Sequence, residues 1–288
     1  MITVLVNPTA GGGTTPADIA AAFEAAGSAA RIVTFTPGED VVALARVAAK
    51  TSDVVVAAGG DGTVNAVAGV LVGTAGMLGV LPMGTLNHFA KDLKLPLDLS
   101  DAVAVIVAGR ATSVDAAEVN GRLFVNNSSI GVYPNAVAIR EQLREAGHRK
   151  WIAMAIAMWR VLRTYRGVHV RLTVNGRQFS TRTPFVFVGN NEYVLEGTAA
   201  GAREHLTSGQ LFVYLAPRIT ARQLPLLVVG TLFGRAQAAA AFEIIPTSDL
   251  KIDAARSTHM TVSLDGETTT LKMPLHYQAR PGALRVIA

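Results

Sequence analysis

The sequence predicts an α/β half with a doubly wound parallel sheet, followed by a half built mostly of antiparallel strands. Three observations predict it. The β-branched run Val54-Val55-Val56 leads into Gly59-Gly60-Asp61-Gly62-Thr63 and then an apolar stretch at helical spacing, Val64 to Val72. That pattern reads as a strand buried on both faces, a glycine turn and a helix. The same alternation of strand and helix fills the residues on either side of it. Beyond about residue 110 short alternating runs take over, joined by Asn120-Gly121, Asn175-Gly176 and Asp265-Gly266, dipeptides that favour the tight turns of β-hairpins.

In chain order, Ile2 to Val6 reads as the first strand and Asn7 to Gly13 as a loop with exposed backbone. Pro16 opens a helix whose face is marked by Ile19, Ala20 and Phe23, and Gly27 ends it. Ala30 to Phe35 is a second strand, Thr36-Pro37-Gly38 its exit, and Val41 to Ala49 a helix; Met77 to Leu81 is a fourth strand and Ser100 to Ala108 a further helix. Parallel strands of this kind bind ligands over their carboxyl ends. The loops Asn7 to Gly13, Thr36 to Asp40, Gly59 to Thr63 and Pro82 to Asn87 all fall on that edge. The second half reads as strands at Arg110 to Val119, Arg122 to Asn127, Val168 to Val174, Gln178 to Thr181, Phe185 to Gly189, Gln210 to Leu215, Phe242 to Ile252, His259 to Leu264 and Thr268 to Lys272. Helical stretches are expected at Tyr133 to Ala146, Arg149 to Arg166 and Ala221 to Phe233.

The 288 residues, 50% of them hydrophobic, suffice for two cores. With no cysteine, disulfides and thiolate metal sites are excluded. The uncharged stretch from Val64 to Pro82 is too broken by Gly69, Gly73, Gly76 and Gly79 to be a membrane span. No basic segment precedes the first strand, so neither a signal peptide nor a span is expected and a cytoplasmic protein is. The net charge of +5 is concentrated between Arg140 and Arg166, where seven basic residues face only Glu141 and Glu145. With Trp151 and Trp159 flanking an apolar middle, this stretch suits a helix lying on an anionic membrane surface, or one docked on a sheet with solvated ends.

Glycines around Asp61 let backbone N–H groups approach a phosphate at a helix start, and a carboxylate among phosphates fits a role through a metal ion or water. G-G-D-G-T is shared by NAD kinases, phosphofructokinases and the diacylglycerol and sphingosine kinases. The first loop, N-P-T-A-G-G-G, resembles the N-P-x-x-G-x-x of diacylglycerol, sphingosine and ceramide kinases, and Leu81 to Ala90 is similar to their P-x-G-T-x-N-D-F-A. The chain therefore resembles the diacylglycerol/sphingosine kinase catalytic-domain family in its bacterial form. That implies an NAD-kinase/phosphofructokinase-like first domain, residues 1–118 with 281–288, and a β-sandwich lipid-substrate domain, residues 119–280.

The resemblance also implies the site. ATP is expected on Asn7, Pro8, Thr9, Ala10, Gly11, Thr36, Gly59, Gly60, Asp61, Gly62, Thr63, Val64, Asn65, Gly84, Thr85 and Asn87. Mg²⁺ is expected at Asp61 and Asp115, and the general base at Asp265 or Glu267 of the L-D-G-E motif, with Glu267 preferred. His88 stands where most members have Asp; it either donates a hydrogen bond to Asp61 or a phosphate, or packs beside Phe89. Thr207-Ser208-Gly209-Gln210-Leu211 replaces the family's D-G-x-L, which predicts an empty or weakened structural Mg²⁺ site.

The expected activity is ATP-dependent phosphorylation of a lipid hydroxyl such as that of diacylglycerol, in an inter-domain cleft, on a lipid met at a membrane surface and with no nucleic-acid partner. The oligomeric state stays open, a homodimer included. Two alternatives remain: a kinase of a soluble acceptor such as NAD, disfavoured by the first loop, and a catalytically silent lipid- or nucleotide-binding regulator.

Overall fold

The computed structural model describes residues 1–10, 13–36, 38–131, 167–195, 201–216, 223, 242–254 and 257–288. The helical stretches expected within 133–166 and 221–233 lie outside the described residues, Gln223 apart. The chain forms two units. The first comprises Met1–Ala116, Glu204–Gly209 and Arg280–Ala288; the second comprises Ala117–Arg203 and Gln210–Ala279.

In the first unit, β1 (Ile2–Val6), β2 (Ala30–Thr34), β3 (Val54–Gly59) and β4 (Met77–Pro82) lie parallel in the order β2-β1-β3-β4. All six residues of β3 are buried, as a strand covered on both faces requires. One face of the sheet packs Val4, Val6, Val54, Val56, Ala58 and Leu81 against Ile19 and Phe23 of α1 (Pro16–Ala25) and Val103 and Ile106 of α5 (Leu99–Ala108). The alternate residues face α2 (Val41–Thr51) and α3 (Asp61–Leu71), which pack on each other and on β3. Gly79 sits where a Cβ would come within 2.9 Å of a Val56 methyl and 3.4 Å of Ile106, so the glycine lets α5 close onto the sheet. Helix α1 begins with a reciprocal capping box between Thr15 and Asp18, followed by Pro16 at its first position.

The second unit is a sandwich. One sheet carries β12 (Glu243–Thr247), β11 (Leu211–Leu215), β10 (Phe185–Asn190), β7 (Asn127–Gly131), β14 (His259–Leu264) and β15 (Glu267–Lys272) in that order, all antiparallel. The other carries the first residues of β16 (Leu275–Ile287) beside β13 (Asp249–Asp253), β8 (Val168–Val174) and β9 (Arg177–Thr183). Ile130, Val186, Val188, Val213 and Val262 of the first sheet meet Val170, Leu172, Leu250, Ile252 and Tyr277 of the second in one core. Asn120-Gly121, Asn175-Gly176 and Asp265-Gly266 each carry positive φ at both residues, the geometry of two-residue hairpin turns. The last residues of β16 return to the first unit, where Arg285 and Val286 pair with Met77 and Leu78 of β4.

Three expectations are corrected. The run Phe242 to Ile252 is two strands in different sheets, because the chain turns at Ser248, where the Thr247 hydroxyl donates to the Asp249 carbonyl. Pro246 is tolerated because β12 is an edge strand. The run Arg122 to Asn127 is likewise divided: β6 (Arg122–Phe124) pairs with β5 (Ala111–Val119), while Asn127 starts β7 in the other sheet. Finally, Glu204–Gly209, expected in the second domain, belongs to the first unit. The Asp115 amide donates to the Leu206 carbonyl at 2.8 Å, and its carboxylate accepts from the amides of Gly209 at 2.7 Å and Gly282 at 2.9 Å.

Asp115 is only 4% exposed, so removing its carboxylate strands two amides that charge-assisted bonds now satisfy. Asp115→Ala is expected to cost about 2–4 kcal/mol of unfolding free energy, read from urea denaturation.

Candidate functional site

The carboxyl ends of β1, β3 and β4 deliver three loops to one edge of the first unit. Asn7 N–H donates to the Ala58 carbonyl at 2.9 Å and Met83 N–H to the Gly59 carbonyl at 3.0 Å, so each loop leaves the ladder beside its neighbour. Chain order and spatial order diverge between β1 and β3, since β2 lies on the far side of β1. This is the switch point at which open α/β sheets present a crevice.

The first loop is set by Asn7, whose side-chain carbonyl accepts from the Thr9 amide at 3.1 Å and the Thr9 hydroxyl at 2.8 Å, an Asx turn that leaves Pro8 and Thr9 exposed. Gly11 lies outside the described residues. In the second loop Gly60 is the N-cap of α3 and no side chain caps that helix. The amides of Thr63 and Val64 return to the Gly60 carbonyl, and a helix start of this kind, with no side-chain cap, favours an anion. A Cβ on Gly59 would meet Thr63 Oγ1 at 2.5 Å.

The third loop touches the second backbone to backbone. A Cβ on Gly84 would lie 2.6 Å from the Gly60 Cα and 2.8 Å from Asn87 Oδ1. Asn87, buried and left-handed at φ 51°, accepts from the Gly84 amide at 2.9 Å and donates to the Gly84 carbonyl at 2.8 Å. Its side chain thus closes the loop. Thr85 is exposed beside it, and Thr63 and Val64 are buried in α3. A hollow of about 350 Å³ opens next to Gly84 and Thr85, lined also by Leu81, Met83, Leu97 and Leu99.

Asp61 stands at the start of α3 and accepts one long bond, 3.4 Å, from the Phe89 amide of α4 (His88–Asp92). His88 is exposed and Phe89 buried, and the bond to Asp61 comes from the Phe89 backbone amide. Thr36 is exposed, but Glu39 holds both its amide and its hydroxyl. The Thr36 amide, then its hydroxyl, keep the Glu39 carboxyl below the usual carboxylate range. Asn65 is half-buried in α3.

In the second unit the L-D-G-E hairpin separates its two acids. The Asp265 carboxylate accepts from the amides of Val125 at 2.9 Å, Asn126 at 2.8 Å and Asn127 at 2.9 Å, filling three of about four acceptor positions. Burial pushes its pKa up, against the pull of those three amides and of the Arg203 guanidinium. Glu267 is exposed and, among the described residues, makes no hydrogen bond or ion pair. Arg203 escaped the sequence reading, for a lone arginine in Gly201-Ala202-Arg203-Glu204 carries no motif.

Among the described residues no group of three or more His, Asp or Glu could hold a metal ion. The Asp115 carboxylate accepts one backbone amide on each oxygen, which fills two of about four acceptor positions. Asp61 fits a metal role, because a single carboxylate completed by phosphates and water suits Mg²⁺. No described helix is long and apolar enough to cross a membrane.

Both halves of the chain are similar to known proteins. Residues 1–119 match the diacylglycerol kinase catalytic domain, and residues 129–288 match the YegS C-terminal NAD kinase beta sandwich-like domain. A diacylglycerol kinase of Staphylococcus saprophyticus is 36% identical over 134 residues, 44% of each chain. A probable lipid kinase YegS-like of Pectobacterium atrosepticum is 42% identical over 85 residues, 28% of each. The chain is thus matched over less than half the length of these curated relatives. A crystal structure of a diacylglycerol kinase from Bacillus anthracis shares the fold, with a TM-score of 0.70 at 21% identity over 99% of this chain and 96% of that one. The chain belongs to the diacylglycerol kinase catalytic-domain family, in the form whose second half is a YegS-type β-sandwich.

Proposed function

We propose that the protein is an ATP-dependent lipid kinase that phosphorylates the hydroxyl of a lipid such as diacylglycerol. The observation that carries this reading is the backbone contact between Gly60 and Gly84, which sets two side-chain-free loops together at the uncapped start of α3. Such a surface suits a triphosphate: amides approach the oxygens directly and the helix end favours negative charge. The Asn7–Ala10 turn and Thr85 lie on the same sheet edge and would complete the grip.

Phosphoryl transfer asks the protein for position and charge more than for covalent chemistry. When bound, Mg²⁺ would neutralise charge on the phosphates, and Asp61 is the residue suited to hold it. The acceptor hydroxyl needs a carboxylate free to take its proton. We assign that role to Glu267 rather than Asp265, whose oxygens are committed to the 125–127 backbone. Asp265 then acts by fixing the turn that presents Glu267. A lipid alcohol would be met at a membrane surface; the basic segment 140–166, expected to make that contact, lies outside the described residues.

The deciding experiment is incubation of the full chain with γ-labelled ATP and Mg²⁺ against micelles containing diacylglycerol, and separately against NAD. Label in the lipid is expected. Label only in NAD overturns the acceptor, and nucleotide binding with no transfer to either overturns the activity. Glu267→Gln is expected to lower kcat by about 10²–10⁴-fold while leaving the urea midpoint unchanged, since its side chain is exposed. Asp265→Asn is expected instead to destabilise the fold by about 2 kcal/mol or more, as an amide cannot accept three N–H bonds in that place. Gly84→Ala is expected to raise KM for ATP about tenfold or more, because the new methyl must push backbone atoms of Gly60 aside.

A further inference from the structure

Arg203 is 3% exposed, a buried cation, and three of its hydrogen bonds go to uncharged oxygens. One guanidinium nitrogen donates to the Val125 carbonyl at 2.7 Å and the Asn190 carbonyl at 3.0 Å; the other donates to Asn126 Oδ1 at 2.6 Å. The guanidinium also lies 5.6 Å from the centre of the Tyr193 ring, within reach of its electron-rich face. A charge held out of water in this way needs a countercharge. Asp265 feels the Arg203 charge, and what the two share is the backbone between Val125 and Asn126.

The two charges are joined through a peptide group. The bond between Val125 and Asn126 offers its C=O to Arg203 and to the Asn190 side-chain amide, at 2.7 and 2.9 Å, and its N–H to Asp265 at 2.8 Å. In a trans peptide these groups point in opposite directions. The cation therefore draws on the carbonyl while the carboxylate draws on the amide, each polarising the group for the other. The Asp265 amide in turn donates to the Asn127 carbonyl at 2.9 Å, so the hairpin and the 125–127 bend hold each other at both ends.

We propose that Arg203 is a positioning residue: with Asp265 it clamps the Val125–Asn127 backbone, and this clamp sets where the Asp265-Gly266 turn presents Glu267. The assignment of Glu267 as proton acceptor is taken from the proposed function; the clamp itself does not depend on it. A Lys at 203 keeps the charge but not the fork that reaches Val125, Asn190 and Asn126 together. A Met keeps the apolar stem and loses both.

The test compares the full chain with Arg203→Lys, Arg203→Met, Asp265→Asn and the Arg203→Met/Asp265→Asn pair, reading urea midpoints and, with ATP and diacylglycerol micelles, kcat and KM separately. Arg203→Met is expected to lower kcat about tenfold or more with KM for ATP unchanged, and Arg203→Lys to recover part of the loss. The paired variant is expected to fall no further than about twofold below Asp265→Asn alone, because both changes open one clamp. A folded Arg203→Met of wild-type kcat, or losses that multiply in the pair, overturns the proposal. Should Arg203→Met fail to fold, Arg203→Lys carries the same comparison. Should no protein phosphorylate the lipid, the urea midpoints still decide: non-additive shifts uphold the clamp and additive shifts remove it, while the kinase reading fails separately.

Discussion

Two stretches of bare backbone pressed together govern the first unit. Gly60 and Gly84 meet so closely that a methyl on Gly84 would sit 2.6 Å from the opposing Cα. That approach brings the end of β3 and the end of β4 to one place, and the rest of the edge is arranged to preserve it. Asn87 closes the third loop through its own side chain, Asp61 reaches across to the start of α4, and Thr63 lies under Gly59 where no larger residue would fit. This edge is thus lined by backbone and a helix start, and the segment from Asp53 to Ala90 contains no lysine or arginine.

The acidic residues divide by what their oxygens accept. Glu39, Asp115 and Asp265 each take backbone amides and thereby shape a loop. Asp61 carries a single long bond, and the Glu267 side chain projects from its hairpin into solvent. A carboxylate committed to backbone amides is a fastening, because withdrawing it would strand the donors it satisfies. One with open acceptor positions can serve a cation or a hydroxyl proton. This distinction separates Asp265 from Glu267, although they lie two residues apart on one turn.

The second unit repeats the principle with opposite charges. Its sheets change partners at Val125 and Asn126, a bend with no glycine or proline to mark it. The bend is held from outside the local sequence, by Asp265 on its amides and by Arg203 on the Val125 carbonyl and the Asn126 side chain. Ser248 marks a similar transfer between sheets, held by the Thr247 hydroxyl. Where local chemistry is silent about direction, long-range hydrogen bonds decide it.

Much of the fold was legible because its cues are local. The valine run of β3, Pro16 at the start of α1, and the Asn-Gly and Asp-Gly hairpins each state a backbone preference within a few residues. The glycine loops were legible for the same reason, since only glycine fits where backbone meets backbone. The sequence alone could not reveal which partners those loops and acids choose. That Asp115 fastens Gly209 and Gly282, and that a buried arginine faces Asp265 through a peptide group, rest on contacts between residues 78 to 167 positions apart. Such contacts leave no periodic trace in the chain, because they depend on side chains that meet only once the sheets have packed.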